Sequence, residues 1–207
     1  GQEPNVVEAA KRIQAFGADG ITVHPRPDAR HITYQDVHDL REVVHTEFNV
    51  EGYPSDDFVK LVCDAKPEQV TLVPDPPHVL TSNAGWTVTD HADLLKNVLA
   101  VFKAEGIRTS LFIETDEAQI HAAAAVGAER IELYTESFAV QHAAIGKAAS
   151  QPFAQAAIWA HEAGLGVNAV HDLNLQNLRD FAESVPHLAE VSIGHALIVD
   201  ALYLGMS

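Results

Sequence analysis

The chain has 207 residues, of which 47% are hydrophobic and 20% charged, a composition that builds a sizeable core and excludes a disordered segment. A formal net charge of −16 argues against a nucleic-acid binder, which needs a basic footprint. The single cysteine, Cys63, forms no disulfide within the chain and fits a reducing, cytoplasmic compartment. No apolar run approaches the roughly 18 residues of a membrane span, and no signal peptide is visible.

In chain order, the spacing predicts a helix over Pro4–Phe16, with Pro near its first turn, then a strand over Ile21–His24. Helices at Tyr34–Val44 and Ser55–Ala65 alternate with strands at Phe48–Glu51 and Gln69–Val73. Next come helix His91–Ala104, strand Thr109–Ile113, helix Glu117–Val126 and strand Arg130–Tyr134. Helix Pro152–Ala163, strand Gly166–Ala169, helix Leu175–Ser184 and strand Glu190–Ile193 complete the series. Gly17, Gly106, Gly127 and Gly164 each stand where a helix gives way to a β-branched run, the position of a left-handed C-cap. The strands show little polar alternation, as buried parallel strands do. Phe138–Ser150, rich in Ala with Gly146, is expected to be a mobile segment able to close over a site.

This alternation predicts a mainly parallel sheet with helical crossovers. No GxGxxG follows the first strand, so a TIM-type (β/α)8 barrel, one domain over residues 1–207, is favoured over an open doubly wound sheet. Seven strands are counted and the chain opens on a helix. The eight-stranded reading therefore expects a first strand before Gly1 and a last helix cut short after "ALIVDALYLGMS".

In such a barrel the chemistry lies at the C-terminal ends of the strands. Those ends carry His24, Arg26 and then His31; Glu51; Asp75 and Thr81; Glu114 and Asp116; Thr135 and Glu136; His171 and Asp172; and Gly194 and His195. A lone strand-end His is often a structural hydrogen-bonding residue. Glu51 and Glu132 stand inside strand patterns, where a carboxylate is expensive unless paired or functional. Glu114, Asp116, Glu117 and Glu136 read as loop or first-turn charges. Gly194 and His195 sit where the last strand turns into a helix, a common phosphate position in this fold. Arg26 and His31 could supply a second anion contact.

Twelve histidines raise a metal reading, but the chain has no His-x-His pair; His24, His171 and His195 could converge, yet no metal site is expected. His38, His78, His91, His121, His142, His161 and His187 fall on helices or loops and read as surface. Cys63 lies on a helix pattern, and the lysines lie away from strand ends, against thiol or Schiff-base catalysis.

"GADGITVHPRPDARHI", "FNVEGYPS", "VTLVPD", "LTSNAGW", "RIELYTE", "VNAVHDL" and "VSIGHALI", in this order and spacing over nearly the whole chain, resemble the pyridoxine 5′-phosphate synthase family. The resemblance implies condensation of 1-deoxy-D-xylulose 5-phosphate with 3-amino-2-oxopropyl phosphate, through imine formation, loss of water and phosphate, and ring closure. It implies no metal or organic cofactor, and a cytoplasmic homo-octamer. Position by position, His24 resembles the first general base, Glu51 the second, His171 the proton donor and Glu132 the transition-state stabiliser. Arg26, His31 and Thr81 resemble contacts to the deoxyxylulose phosphate; Gly194, His195 and the position of Asp172 resemble contacts to the amino-ketone phosphate.

Two residues depart from the family pattern. Val170 and Asp172 stand where Gly is usual; Val disfavours φ > 0, and a carboxylate beside a phosphate would repel it unless turned away. Two other readings fit the same fold: a sugar-phosphate isomerase or epimerase with one phosphate site, and a non-catalytic barrel that binds a phosphorylated vitamer.

Overall fold

The computed structural model describes residues 5–75 and 84–205. Within the chain, the described residues of Gly1–Asn83 with Asn97–Ser110 form one compact unit, and those of Ala84–Lys96 with Leu111–Ser207 form another.

In the first unit, helix α1 (Val6–Ala15) leads into strand β1 (Gly20–Val23). Helix α2 (Tyr34–Arg41) opens on a capping box. The Asp36 amide donates to Thr33 Oγ1 at 3.1 Å, and the Thr33 amide donates to Asp36 Oδ2 at 2.7 Å. Strand β2 (Glu47–Gly52), helix α3 (Asp56–Ala65, capped by Ser55) and strand β3 (Gln69–Leu72) follow. The strands pair in parallel, with Thr22 beside Asn49 and Glu51 beside Thr71. Helix α4 (Ala92–Ala104) and strand β4 (Arg108–Ile113) contribute residues 97–104 and 108–110 to this unit.

In the second unit, Asp116 caps helix α5 (Glu117–Ala125) by accepting from the Gln119 amide at 2.9 Å. Strand β5 (Arg130–Tyr134), helix α6 (Glu136–Ile145), helix α7 (Gln151–Glu162), strand β6 (Gly166–Val170), helix α8 (Leu178–Ser184), strand β7 (Leu188–Ser192) and helix α9 (His195–Leu204) follow. β5 pairs with β6, and β6 with β7, in parallel.

The seven strands run in chain order, β1 to β7, with helices between them. A doubly wound sheet reverses its strand order partway; this sheet does not, and the order is that of a TIM-type barrel. The predicted C-caps form as expected, with Gly106 at φ 75° and Gly127 at φ 93°.

Three local expectations differ from what is observed. Phe138–Ser150 is not a loop: α6 and a 3-10 turn over Gly146–Ser150 fill it. Phe138 is fully buried, 4.9 Å from Phe181 and 6.0 Å from Phe153 between ring centroids. Helix α8 starts at Leu178, not Leu175, because Asn174 and Asn177 close a turn: Asn174 Oδ1 accepts from the Gln176 amide, and Asn177 Oδ1 from the Asn174 amide. His142, expected on the surface, lies half-buried beside Phe138 with Nε2 2.8 Å from Asp180 Oδ2.

Candidate active site

The first unit builds its group on the ends of β1, β2 and β3. Alternation along a strand puts Asn49 and Glu51 on one face, and Asn49 is tied sideways on that face. Its amide donates to Thr22 Oγ1 at 3.4 Å, and its carbonyl accepts from Thr71 Oγ1 at 3.1 Å. Above this polar layer, His24 Nδ1 lies 3.7 Å from Glu51 Oε2, with side chains 23% and 15% exposed. Gly52 lets the end of β2 pack tightly: a Cβ there would stand 2.3 Å from the Phe58 ring. Arg26 Nη2 lies 3.8 Å from Asp75 Oδ2. His24, Arg26 and Asp75 line one pocket together with Tyr34 and Tyr53.

Electrostatics separates the two facing groups. Burial, aided by the charges of Arg26 and Arg30, pushes the His24 imidazole down to about 4, so it is neutral near pH 7. Burial pushes the Glu51 carboxyl up to about 7 against the opposing pull of Arg26. A neutral imidazole and a carboxyl poised near neutrality can both exchange protons with a substrate. His31 lies exposed on the loop before α2 and is not among the residues that line the pocket. Thr81 lies outside the described residues.

The second unit places Glu132 in the middle of β5, 1% exposed and in register with Asn168. On the same face of the sheet, Arg130 Nη1 donates to Asn168 Oδ1 at 2.7 Å and to Glu190 Oε1 at 2.6 Å. At the strand ends the Thr135 amide donates to the Val170 carbonyl at 2.8 Å. His171 packs edge-on to Tyr134, with centroids 5.4 Å apart. His171 Nδ1 lies 2.8 Å from Asp172 Oδ2. The Asp172 amide donates to Thr135 Oγ1 at 3.2 Å.

Tyr134 donates its hydroxyl to Glu136 at 2.8 Å. Burial, with Glu136 adding to it, holds that hydroxyl well above the usual tyrosine range. Burial also raises the Glu114 carboxyl, against the Gly85 amide that donates to it at 3.4 Å. Gly194 caps α9 with no side-chain bond to its amides, and His195 is the first residue of that helix; both are exposed.

Val170 ends β6, 7% exposed and not among the positive-φ residues, so the positive φ that a β-branched residue disfavours is not required there. Sequence reasoning gave no role to Tyr34, Tyr53 or Tyr134; the signal for Tyr53 and Tyr134 is an aromatic at a strand end, while Tyr34 opens α2. Among the described residues, no three His, Cys, Asp or Glu side chains gather to hold a metal, and no helix is long and apolar enough to cross a membrane.

Residues 1–207 match the family model described as "Pyridoxal phosphate biosynthesis protein PdxJ". The chain is 57% identical over 206 residues to the pyridoxine 5′-phosphate synthase of Christiangramia forsetii, covering 100% of this chain and 87% of that protein. It is 55% identical to the synthase of Parabacteroides distasonis and 56% to that of Porphyromonas gingivalis, with the same coverage. Among solved structures, phosphoribosylanthranilate isomerase from Thermotoga maritima is similar in fold alone. Its TM-score is 0.60 at 14% identity, over 92% of this chain and 83% of that one.

Proposed function

This chain belongs to the family of pyridoxal phosphate biosynthesis protein PdxJ, and from that premise we propose that it is a pyridoxine 5′-phosphate synthase. It joins 1-deoxy-D-xylulose 5-phosphate to 3-amino-2-oxopropyl phosphate. His24 and Glu51 serve as general bases, His171 as proton donor, and Glu132 stabilises charge that develops in the transition state. Arg26, with His31 and Thr81, binds the deoxyxylulose phosphate; Gly194 and His195 bind the amino-ketone phosphate.

The observation that carries this reading is the contact between His24 and Glu51 at 3.7 Å, set within a chain that matches the family from end to end. Imine formation and dehydration move protons at several carbons and oxygens. A neutral imidazole beside a carboxyl that titrates near 7 suits that work. First-turn amides at the start of α9, which carry no side-chain cap, suit a phosphate, and they add positive potential in a chain of net charge −16. The working assembly is a cytoplasmic octamer, which analytical ultracentrifugation tests.

The direct test is an assay of the full-length protein with both substrates, reading pyridoxine 5′-phosphate by absorbance and mass. Product that appears only when both are present supports the reading. Turnover of one phosphorylated sugar alone, or binding of pyridoxine phosphate without any turnover, overturns it.

A further inference from the structure

We propose that Tyr134 is the positioning residue of His171: its ring, tethered through the hydroxyl to Glu136, holds the imidazole in place at the end of β6. This rests on the reading of His171 as the proton donor.

The sheet brings the two rings together. β5 and β6 pair in parallel with Tyr134 beside Val170, so His171 is the next residue along. One further backbone bond carries the pairing past both strands, from the Thr135 amide to the Val170 carbonyl at 2.8 Å. The peptide that joins Val170 to His171 is therefore held against β5. The imidazole stands edge-on to the Tyr134 ring, with centroids 5.4 Å apart and planes at 69°. Aromatic pairs favour that arrangement at about 4.5–7 Å. The His171 side chain is 45% exposed. An imidazole so open to solvent has few walls to hold its rotamer, which gives weight to the ring it packs against.

Tyr134 is not free to follow the imidazole. It is 7% exposed, and the buried Phe112 packs against it with centroids 5.2 Å apart. Its hydroxyl donates to Glu136 Oε2 at 2.8 Å. Glu136 is the first residue of α6, where the helix dipole favours a carboxylate, and a hydrogen bond to an ionised acceptor is stronger than one between neutral groups. Burial, with Glu136 adding to it, keeps the phenol protonated through the neutral range, so the donor persists wherever the enzyme works. The ring that faces His171 is thus fixed by packing on one side and by this tether at its tip.

The test uses the full-length enzyme, in ligand-free crystals and in steady-state assays with both substrates. In the unsubstituted crystal the His171 ring should occupy one rotamer against Tyr134, and in Tyr134→Leu it should spread over several. Tyr134→Phe keeps the ring and loses the tether; Glu136→Ala removes the tether from the other end. Each should lower kcat by at least about fivefold, within the roughly 10²-fold that a misplacement of about 1 Å costs. The double variant should lose no more than either change alone. Glu136→Gln, whose amide carbonyl still accepts from the phenol, should recover most of the rate lost in Glu136→Ala. The KM for each substrate should stay within about twofold, as expected of groups that do not touch substrate.

A His171 ring turned away from Tyr134 in the unsubstituted crystal overturns the proposal without any variant. So does an unchanged kcat in Tyr134→Phe and Glu136→Ala. A rise in KM for either substrate at unchanged kcat in Tyr134→Phe also overturns it, by making the hydroxyl a substrate contact. Losses that add in the double variant do the same, since the two residues would then act separately. Should the protein make no product from the two substrates, the functional reading fails, and the rotamers still decide whether Tyr134 holds His171.

Discussion

His24 and Glu51 face each other from neighbouring parallel strands, Nδ1 to Oε2 3.7 Å apart, and burial drives their proton affinities in opposite directions. The imidazole, at about 4, stays neutral across the physiological range; the carboxyl, at about 7, changes charge within it. If Glu51 removes a proton during ring formation, kcat/KM should climb about tenfold per pH unit below 7 and level off above it. Glu51→Gln should lower the plateau by roughly 10²–10⁴-fold and abolish that limb. A pH–rate series on both proteins checks this. A limb near 7 that persists in the variant assigns the titration to another group.

The same carboxyl has a thermodynamic signature. Its folded value lies above the ordinary 4.5, so between about 4.5 and 7 the unfolded chain releases a proton that the folded chain keeps. The stability it contributes is lost as pH rises through 7. Glu51→Gln should therefore raise stability at pH 8, by an amount on the order of 2–3 kcal/mol, and change it little at pH 5. His24 works the other way. Its folded value is depressed from 6.5, so its contribution is lost as pH falls from 6.5 toward 4. Thermal melts of both proteins at pH 5 and 8 test the sign; a variant that is destabilised at pH 8 removes the argument.

Much of this was legible because local signals agreed. Gly106 and Gly127 mark helix ends, the β-branched runs after them mark β4 and β5, and the polar residues at strand ends are where the barrel topology puts them. The raised proton affinity of a buried glutamate could be read from its place in a strand, but the depressed affinity of His24 could not, because it depends on burial set by the fold and on the charges of Arg26 and Arg30. Helix α6 was missed for a similar reason: Phe138 is held by Phe153 and Phe181, which lie far along the chain. The turn of Asp172 toward His171 was hidden because the period-two rule lapses at the end of β6.

That aromatic cluster makes a prediction of its own. Phe181 is fully buried, 4.9 Å from Phe138 and 5.4 Å from Phe153. Phe181→Ala should destabilise the fold by about 3–5 kcal/mol through lost burial and a residual cavity. It should also loosen α6, read as faster amide hydrogen exchange over 136–145 than over α3. Equal exchange in α6 before and after the change would mean that α6 does not depend on this cluster.

Gly194 separates a structural role from a binding one. An added Cβ there meets no atom within 4 Å, and its φ of −116° is open to any residue. Gly194→Ala should therefore change stability by less than about 1 kcal/mol, the scale of a modest N-cap change. A phosphate seated on the first-turn amides of α9 would meet that methyl group directly. The KM for the amino-ketone phosphate should then rise by about tenfold or more, equivalent to at least roughly 1.4 kcal/mol of binding. The KM for the deoxyxylulose phosphate should stay put. Gly85 is the control for a purely steric glycine: a Cβ there would stand 2.5 Å from Ile113 Cα and 2.6 Å from the Glu114 amide nitrogen. Those are backbone atoms that cannot step aside, so Gly85→Ala should lower stability by about 1–3 kcal/mol. Equal KM values in Gly194→Ala and the unsubstituted enzyme would remove the start of α9 from the phosphate site.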